Sequence, residues 1–411
     1  MNATTVRTGL VVAMLGIALS GCTGFQTPPP AVHPADARVE AMEELEKASQ
    51  STNAFTRAHA IEAMAATLGA QAGPAYVRGL CDAEPAVRYA AAVAVGDLKY
   101  APAKDRLLAM AGDKTVEPDR RVMPGVIYAM YELGVEEYAG QLGGLLFDTE
   151  QEVRANAAMA MGRMGEPSAT GPLRSLQAQE TEDRVRLSIF EALAMLGDEA
   201  SAYRLEAYAR TTFLDMRLAA ITAMSQFPSP RSLAVMRQLI SEKRNPPQVR
   251  VAAGGALAKM GEVDEDAQEL AIQASRSARS MLQKAYGSTK EVTDPEAYQL
   301  QQLSAIALGY MDRPDSLGAL HQLMASPDPD VRVAAAMSTL RLVPASAMAP
   351  PAAQSIEMIP PAAPAAAADQ PAAPPAMVAP EAAQPAGEQA PAVEAIAPDP
   401  TPKLQTSGAK E

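Results

Sequence analysis

The chain has 411 residues and a formal net charge of −13, and 48% of its residues are apolar although only 4% are aromatic and none is tryptophan. A core of this composition is built mainly from Ala, Leu, Val and Met, which are small or flexible side chains that allow helices to pack closely. The acidic balance lacks the basic face that phosphate contacts need, so a nucleic-acid partner is not expected. The length suits two or three average domains or one long array of repeats.

The N-terminus has the order of segments found in an export leader. Arg7 supplies a positive charge, and the apolar stretch 10–19 is about half as long as a membrane-spanning helix needs to be. The stretch ends in Leu19-Ser20-Gly21-Cys22, which resembles the lipobox of bacterial lipoproteins. The alternative is an ordinary secretory leader that happens to contain a cysteine.

The lipobox resemblance implies that residues 1–21 form a signal peptide, that Cys22 becomes the lipidated N-terminus, and that 22–35 is a lipidated linker. Several acyl chains on one residue anchor a protein firmly where a single chain would not. Thr23, rather than Asp, follows the lipid site. By the usual sorting rule of that family, this favours the periplasmic side of the outer membrane within the cell envelope.

One phrase recurs along the chain, as "AVRYAAAVAVGDL" from Ala86, "EVRANAAMAMGRMG" from Glu152 and "DVRVAAAMSTLRL" from Asp330. Each copy continues into a second apolar-periodic segment, so the repeating unit is predicted to be a pair of helices. One pair cannot bury its apolar face alone, which predicts an all-α fold, an α-solenoid of about nine hairpins over residues 36–343. Aligned on the arginine, the repeats have anchors at 57, 88, 123, 154, 186, 217, 250, 301 and 332.

The order of acidic residue, Val-Arg, Ala-rich helix and Gly turn resembles the short bacterial HEAT repeat, the type first named from phycobilin (PBS) lyases. The resemblance covers about 53–343. In that family the arginine commonly ties a repeat to an acidic residue of its neighbour, which implies a structural ladder. The alternative is a row of arginines presented to an anionic ligand. The six matching arginines are Arg88, Arg154, Arg186, Arg217, Arg250 and Arg332.

Two departures from the repeat are candidate partner-binding surfaces. The 51-residue gap after Arg250 predicts a long second helix. Residues 276–290 contain four cations and no acid, which indicates either a solvated face or a contact for an anionic partner or lipid head groups. The third unit contains three tyrosines, which are either half-buried or a binding patch. These residues are Arg276, Arg279, Lys284 and Lys290 in the gap, and Tyr128, Tyr131 and Tyr138 in the third unit.

The two ends of the array are predicted to differ. Residues 36–49 form an amphipathic helix that caps the stack with Val39, Met42 and Leu45 inward. At the other end Pro344 stops the ninth unit after one helix, so its flank is expected to be exposed unless the following segment folds back. The residues predicted to cover it are Met348, Ile356, Met358 and Ile359.

Residues 344–411 are predicted to be a disordered tail, because they are mostly Pro and Ala and contain no aromatic residue that could build a core.

Little in the sequence indicates catalysis. No hydrolase, phosphate-binding or dinucleotide motif occurs, so neither an enzyme nor a cofactor is expected. His59 and His321 are expected at opposite ends of the stack, which excludes a shared metal site. Cys81 is expected to be a small core residue, since free cysteines are often buried.

The sequence therefore favours a lipid-anchored cell-envelope scaffold that binds a protein partner through the solenoid surface. One alternative is a structural tether or spacer that links the membrane to the cell wall through the Pro/Ala-rich tail. A further alternative is an enzyme of the lyase or oxidoreductase kind found among HEAT-repeat proteins.

Overall fold

The structure is a computed structural model that describes residues 32–288 and 290–348. Regular structure in that part is entirely helical, which confirms the all-α prediction, while the predicted signal peptide, Cys22 and the residues from 349 onward lie outside it. No helix there combines the length and apolar content that crossing a bilayer requires. The helices are α1 (Pro34–Ala48), α2 (Ala54–Thr67), α3 (Gly73–Gly79), α4 (Pro85–Asp97), α5 (Lys104–Gly112), α6 (Met123–Glu132), α7 (Leu142–Leu145), α8 (Gln151–Met164), α9 (Thr170–Gln179), α10 (Asp183–Met195), α11 (Glu199–Ala209), α12 (Leu214–Met224), α13 (Pro230–Ser241), α14 (Pro247–Lys259), α15 (Glu265–Tyr286), α16 (Asp294–Leu308), α17 (Pro314–Met324) and α18 (Pro329–Leu342).

The helix boundaries follow from capping residues in the sequence. The Asn53 side chain accepts the backbone N–H of Phe55 at the start of α2, and Asp328 accepts the N–H groups of Asp330 and Val331 at the start of α18. Both satisfy donors that the first turn of a helix leaves unpaired. Helix α8 ends at Gly165, whose φ of 71° is a left-handed conformation that favours glycine.

The even-numbered helices form an inner row in which each helix packs against the next even-numbered one. The odd-numbered helices flank this row, and each hairpin consists of one inner and one outer helix. The contact between α10 and α12 is the sparsest in the row, and the outer helix α11 packs against both of these inner helices. This arrangement is the predicted α-solenoid of HEAT-type hairpins.

Small residues set the spacing of the inner row. A Cβ atom added to Gly162 of α8 would lie 2.6 Å from the Cα atom of Ala192 in α10, which is closer than packing permits. Gly255 of α14 meets the backbone of Ala307 in α16 in the same way, at 2.9 Å. Neighbouring inner helices therefore touch almost backbone to backbone, and this draws the inner side of the array together.

The inner row closes on itself. Helix α18 packs against α16 on one side and against α2 on the other, while α1 packs against both α18 and α2. The apolar core continues through this seam, because Leu45 and Ile61 belong to the same buried cluster as Val331 and Leu340. The nine hairpins thus form a closed ring within the described residues.

Polar contacts also join the two ends of the array at the seam. Arg38 Nη1 donates to the carbonyl oxygen of Val343 at 2.7 Å, and Arg38 is itself buried. The Thr56 hydroxyl donates to Asp330 at 2.9 Å. Arg332 Nε lies 2.6 Å from Glu44 Oε1, a pair 288 residues apart in the sequence. Closure is therefore specified by directional contacts as well as by apolar burial.

The prediction that the flank of the ninth unit is exposed is wrong, because α1 packs where the second helix of that unit would lie. Helix α1 buries Leu45, as predicted, together with Ala41. Val39 and Met42, which were also predicted to face inward, are exposed. The seam leaves no need for a segment after Pro344 to fold back, and Ile356, Met358 and Ile359 lie outside the described residues.

Ring closure predicts an energetic coupling between Arg332 and Glu44. In a double-mutant cycle with Arg332→Met and Glu44→Gln, the free energies of unfolding should couple by about 1 kcal/mol, because the two partly buried groups contact each other. Denaturant unfolding of the four proteins measures this value. The matched control is Arg154 with Glu180, which is the same pair inside the array. Normal coupling in the control together with none at the seam would mean that the ring is open in solution.

Candidate functional site: the inner surface of the ring

The inner surface is formed by the even-numbered helices, and most of its charged side chains lie at position five or nine after a repeat anchor. A first cavity of about 420 Å³ takes residues from α2, α4 and α8, although α6 stands between α4 and α8 in the row. Residues two repeats apart share one cavity only if the inner helices curve around it. The charged, aromatic and Met residues that line it are Glu62, Tyr89, Asp97, Met159 and Arg163.

An ion pair spans the first cavity. Arg163 Nη1 lies 2.9 Å and 3.0 Å from the two carboxylate oxygens of Asp97, which is 66 residues earlier in the chain. The Tyr128 hydroxyl donates to the same carboxylate at 2.7 Å. Burial, followed by this hydrogen bond, raises the pKa of Tyr128, so the hydroxyl stays protonated and remains a donor. The Asp97 carboxylate therefore accepts hydrogen bonds from both Arg163 and Tyr128.

Protein surrounds the other ionisable groups of this surface closely enough to change their titration. Burial raises the pKa of Glu62 and of Glu191, although the positive charge of Arg163 opposes the shift at both carboxylates. Burial also raises the pKa of Tyr89 to about 12. The surrounding protein therefore disfavours the charged forms of these carboxyl and phenol groups, although Glu62, Asp97 and Arg163 remain accessible to solvent.

A second cavity, of about 110 Å³, lies farther along the row between α12, α14 and α16. Lys259 and Tyr310 line it, and the Arg341 guanidinium carbon sits 4.1 Å from the centre of the Tyr310 ring. The two cavities differ in charge, because the first contains an ion pair and a further carboxyl group, Glu62, whereas the charged groups at the second are the cations Lys259 and Arg341.

Three of the six predicted ladder arginines link their own repeat to an acid in the segment that follows. Arg88 makes a two-pronged contact with Glu117, at 2.6 and 2.8 Å, and also donates to the carbonyl of Asp82 before its own helix. Arg154 contacts Glu180 in the same way, and Arg332 makes the equivalent contact with Glu44 across the seam. Each arginine therefore ties the loop before its inner helix to the segment behind it.

The other three ladder arginines have different partners. Arg217 donates to the side-chain oxygen of Asn245 at 2.8 Å, and Arg250 donates to the carbonyl of Ile240. Arg186 contacts only Asp183 of its own first turn, at 3.6 Å, and its Nε is buried without a hydrogen-bond partner within the described residues. The expectation of an inter-repeat acid is wrong at these three positions, because the following segments present an amide, a carbonyl or nothing.

The three tyrosines of the third unit do not form one exposed patch. Tyr128 is buried and serves Asp97 as described above, so its side chain is not available at a surface. The Tyr131 hydroxyl donates to Glu166, and Tyr138 is half-buried against the apolar core. Tyr128 therefore contributes to the site by orienting Asp97.

The four cations after Arg250 lie on or just beyond α15, and all are exposed. The predicted long second helix is confirmed, with a kink at Ser277. Two of the cations have acidic partners, which the local sequence did not reveal: Arg279 pairs with Asp294 and Lys290 with Glu296. The remaining cations, Arg276 and Lys284, make no salt bridge within the described residues, so the positive patch is half neutralised.

Three further residues lie where the sequence did not place them. His59 Nδ1 lies 3.3 Å from Asp330, and His321 Nε2 lies 3.2 Å from Glu40, so both histidines are at the seam and not at opposite ends. Cys81 is exposed and not buried, since it follows the end of α3 where the chain leaves the core. Across the described part of the chain, no group of three His, Cys, Asp or Glu side chains is placed to hold a metal ion.

The sequence pattern alone did not identify the inner-surface charges as a group, although their positions in the repeat are a signal for them. They replace the small or apolar residue expected late in an inner helix, at position five or nine after the anchor. A sequence does not show which helix face turns inward in a ring, so these charges resembled ordinary solvated residues. They are Glu62, Asp97, Arg163, Glu191, Lys259 and Arg341.

Comparison with known families detects HEAT-type repeats in the chain: the family model described as HEAT repeats matches residues 42–134 and 141–215. Two crystal structures described as engineered proteins of the Northeast Structural Genomics Consortium are also similar. One is 15% identical, with 74% of this chain and 98% of that chain covered and a TM-score of 0.27. The other is 17% identical, with 75% and 96% covered and a TM-score of 0.19. None of the curated proteins compared with the chain matches it.

The ladder geometry predicts that Arg88→Met is strongly destabilising. The change should lower the free energy of unfolding by about 3 kcal/mol, because it strands the carboxylate of Glu117, whose side chain is 0% exposed. Arg186→Met is the control at the same repeat position, and it should cost less than about 1 kcal/mol because Asp183 is solvated. Thermal or denaturant unfolding compares the two. Equal losses would contradict the view that a buried acid makes the rung costly to break.

Proposed function

We propose that this protein is a lipid-anchored scaffold of the cell envelope that binds a segment of a partner protein on the inner surface of its ring. The observation that carries the proposal is the first cavity, where Tyr89, Met159 and Arg163 converge on a concave wall. Tyr, Met and Arg are the residue types enriched at protein interfaces. The cavity volume of about 420 Å³ suits a few side chains, so in this proposal the partner contributes a short segment.

Binding fits the first cavity better than catalysis does. A general base needs a carboxylate that is free to accept a proton. Asp97 is instead engaged by Arg163 and by the Tyr128 hydroxyl, which hold it as a fixed contact group. We therefore assign Asp97 and Arg163 a recognition role and propose that the chain is not an enzyme.

The proposed location rests on the leader and on Cys22. A lipid at Cys22 would hold the ring close to the membrane, on the periplasmic side of the outer membrane, since Thr23 follows the lipid site. Helix α1, which follows the proposed lipidated linker in the sequence, packs against α18 at the seam. The scaffold would then present its partner near the membrane surface.

The anchor predicts the behaviour of two cysteine variants. Cys22→Ser should remain unprocessed or leave the membrane fraction, because the lipid has no other attachment point in this proposal. Cys81→Ser is the matched control, since the exposed thiol of Cys81 has no assigned role, and it should fractionate as the unchanged protein does. Membrane fractionation with immunodetection measures both. Identical distribution of the two variants would exclude lipidation at Cys22.

Binding at the inner surface predicts that crosslinking depends on position. A photo-crosslinking amino acid at Met159, in the wall of the first cavity, should capture a partner protein in intact cells. The same group at Val39, exposed on outer helix α1, should capture much less of it. Mass spectrometry identifies the captured protein. Capture only from Val39 would move the binding surface to the outside of the ring.

The tether alternative is favoured by the Pro/Ala-rich composition of residues 344–411 and is tested by removing residues 349–411. Under the scaffold proposal, crosslinking from Met159 persists without the tail. Under the tether alternative, the partner contacts the tail, so crosslinking from Met159 is lost or was never present.

A further inference from the structure

Three residues of one repeat position meet at the second cavity. Lys259, Tyr310 and Arg341 each lie nine residues after the anchor of three consecutive repeats. Lys259 and Arg341 lie at the C-terminal ends of α14 and α18, and Tyr310 follows the end of α16, which lies between these helices in the inner row. Lys259 and Tyr310 line the cavity, and Arg341 stacks on the Tyr310 ring. Two cations therefore lie near the aromatic side chain of Tyr310 on the inner surface.

The two cations lack the partners that charged groups of this protein usually have. Neither Lys259 nor Arg341 makes a salt bridge within the described residues, although the chain carries 48 acids against 35 bases. The Nη1 atom of Arg341 is buried and donates to no hydrogen-bond acceptor there, while its guanidinium stacks on Tyr310. A buried donor without an acceptor costs free energy unless something binds to it.

The arrangement is electrostatically unfavourable without a bound anion. Burial, and next the positive charge of Arg341, lower the pKa of Lys259. Glu191 acts on Lys259 in the opposite direction but does not form an ion pair with it. Apolar residues at both positions would serve packing better, so this juxtaposition of like charges points to a ligand that neutralises them.

The wall beside the cations is apolar. Ile221, Leu303 and Ile306 line the cavity together with Lys259, and Gly255 lets its floor approach α16 closely. The volume of about 110 Å³ suits a group of a few carbon atoms. A molecule that fills this space places an apolar body against the isoleucines and its charged end toward the cations.

We propose that the second cavity binds a small amphiphilic anion, a carboxylate or phosphate joined to a short apolar body, with Lys259 and Arg341 as the charge-binding groups. Tyr310 positions the guanidinium by stacking. The site is separate from the first cavity and does not depend on the lipid anchor or on a partner protein.

Calorimetric titration of the purified full-length protein tests this site with hexanoate and hexyl phosphate as probes. Acetate and hexanol are the controls that lack the apolar body and the charge. Hexanoate or hexyl phosphate should bind at least tenfold more tightly than either control, because both ends of the ligand contribute. The tighter of the two probes identifies the head group.

Variants separate recognition from folding. Lys259→Met and Arg341→Met should each weaken binding of the preferred probe at least tenfold, and Lys259→Arg should retain it. Arg276→Met, which removes an exposed cation on outer helix α15, should change the affinity less than twofold. Without ligand, Lys259→Met should melt at the same temperature as the unchanged protein or higher, because it removes a like charge. Failure of both probes to bind at millimolar concentration, or equal weakening by Arg276→Met, would overturn the proposal.

Discussion

The close approach of neighbouring inner helices is the constraint on which the ring depends. At Gly162 and Gly255 a single added methyl group would collide with the next helix, so the inner row is spaced by backbone contact. Larger residues such as Leu173 and Leu239 are buried on the outer helices of the hairpins. Such close contacts between inner helices favour curvature of the array, and α18 comes back into contact with α2.

Closure removes the problem that an open solenoid has at its ends. Terminal repeats usually need a polar cap, because one face of the last hairpin has no neighbour. Here α1 completes the hairpin of α18, and the buried Arg38 reaches the backbone of Val343 at the point where α18 ends. The rung formed by Arg332 and Glu44 repeats across the seam the contact that Arg154 and Glu180 make inside the array. The seam is therefore built like any other repeat boundary.

The same curvature creates the candidate site. Arg163 reaches Asp97 past an intervening helix because the inner wall is concave, and burial on that wall disfavours the charge of Glu62. The surrounding protein disfavours unpaired charge there, so pairing these groups or leaving them unpaired changes their titration. The first cavity pairs its charges around Asp97, whereas the second leaves Lys259 and Arg341 without a counter-ion in the described structure. We assign the first to a protein contact and the second to a small anion.

The sequence by itself determined the helical hairpins, their number and the long α15, because helix periodicity, capping residues and the recurring Val-Arg phrase are local signals. It also indicated ladder rungs such as the one Arg88 makes, since the acid that completes it is fewer than 30 residues away. Only the tertiary structure decided that the array closes, that His59 and His321 share a seam, and that position nine of each repeat faces a common interior. These facts depend on the angle between successive hairpins, which is the sum of many small packing differences and has no signature at any one residue.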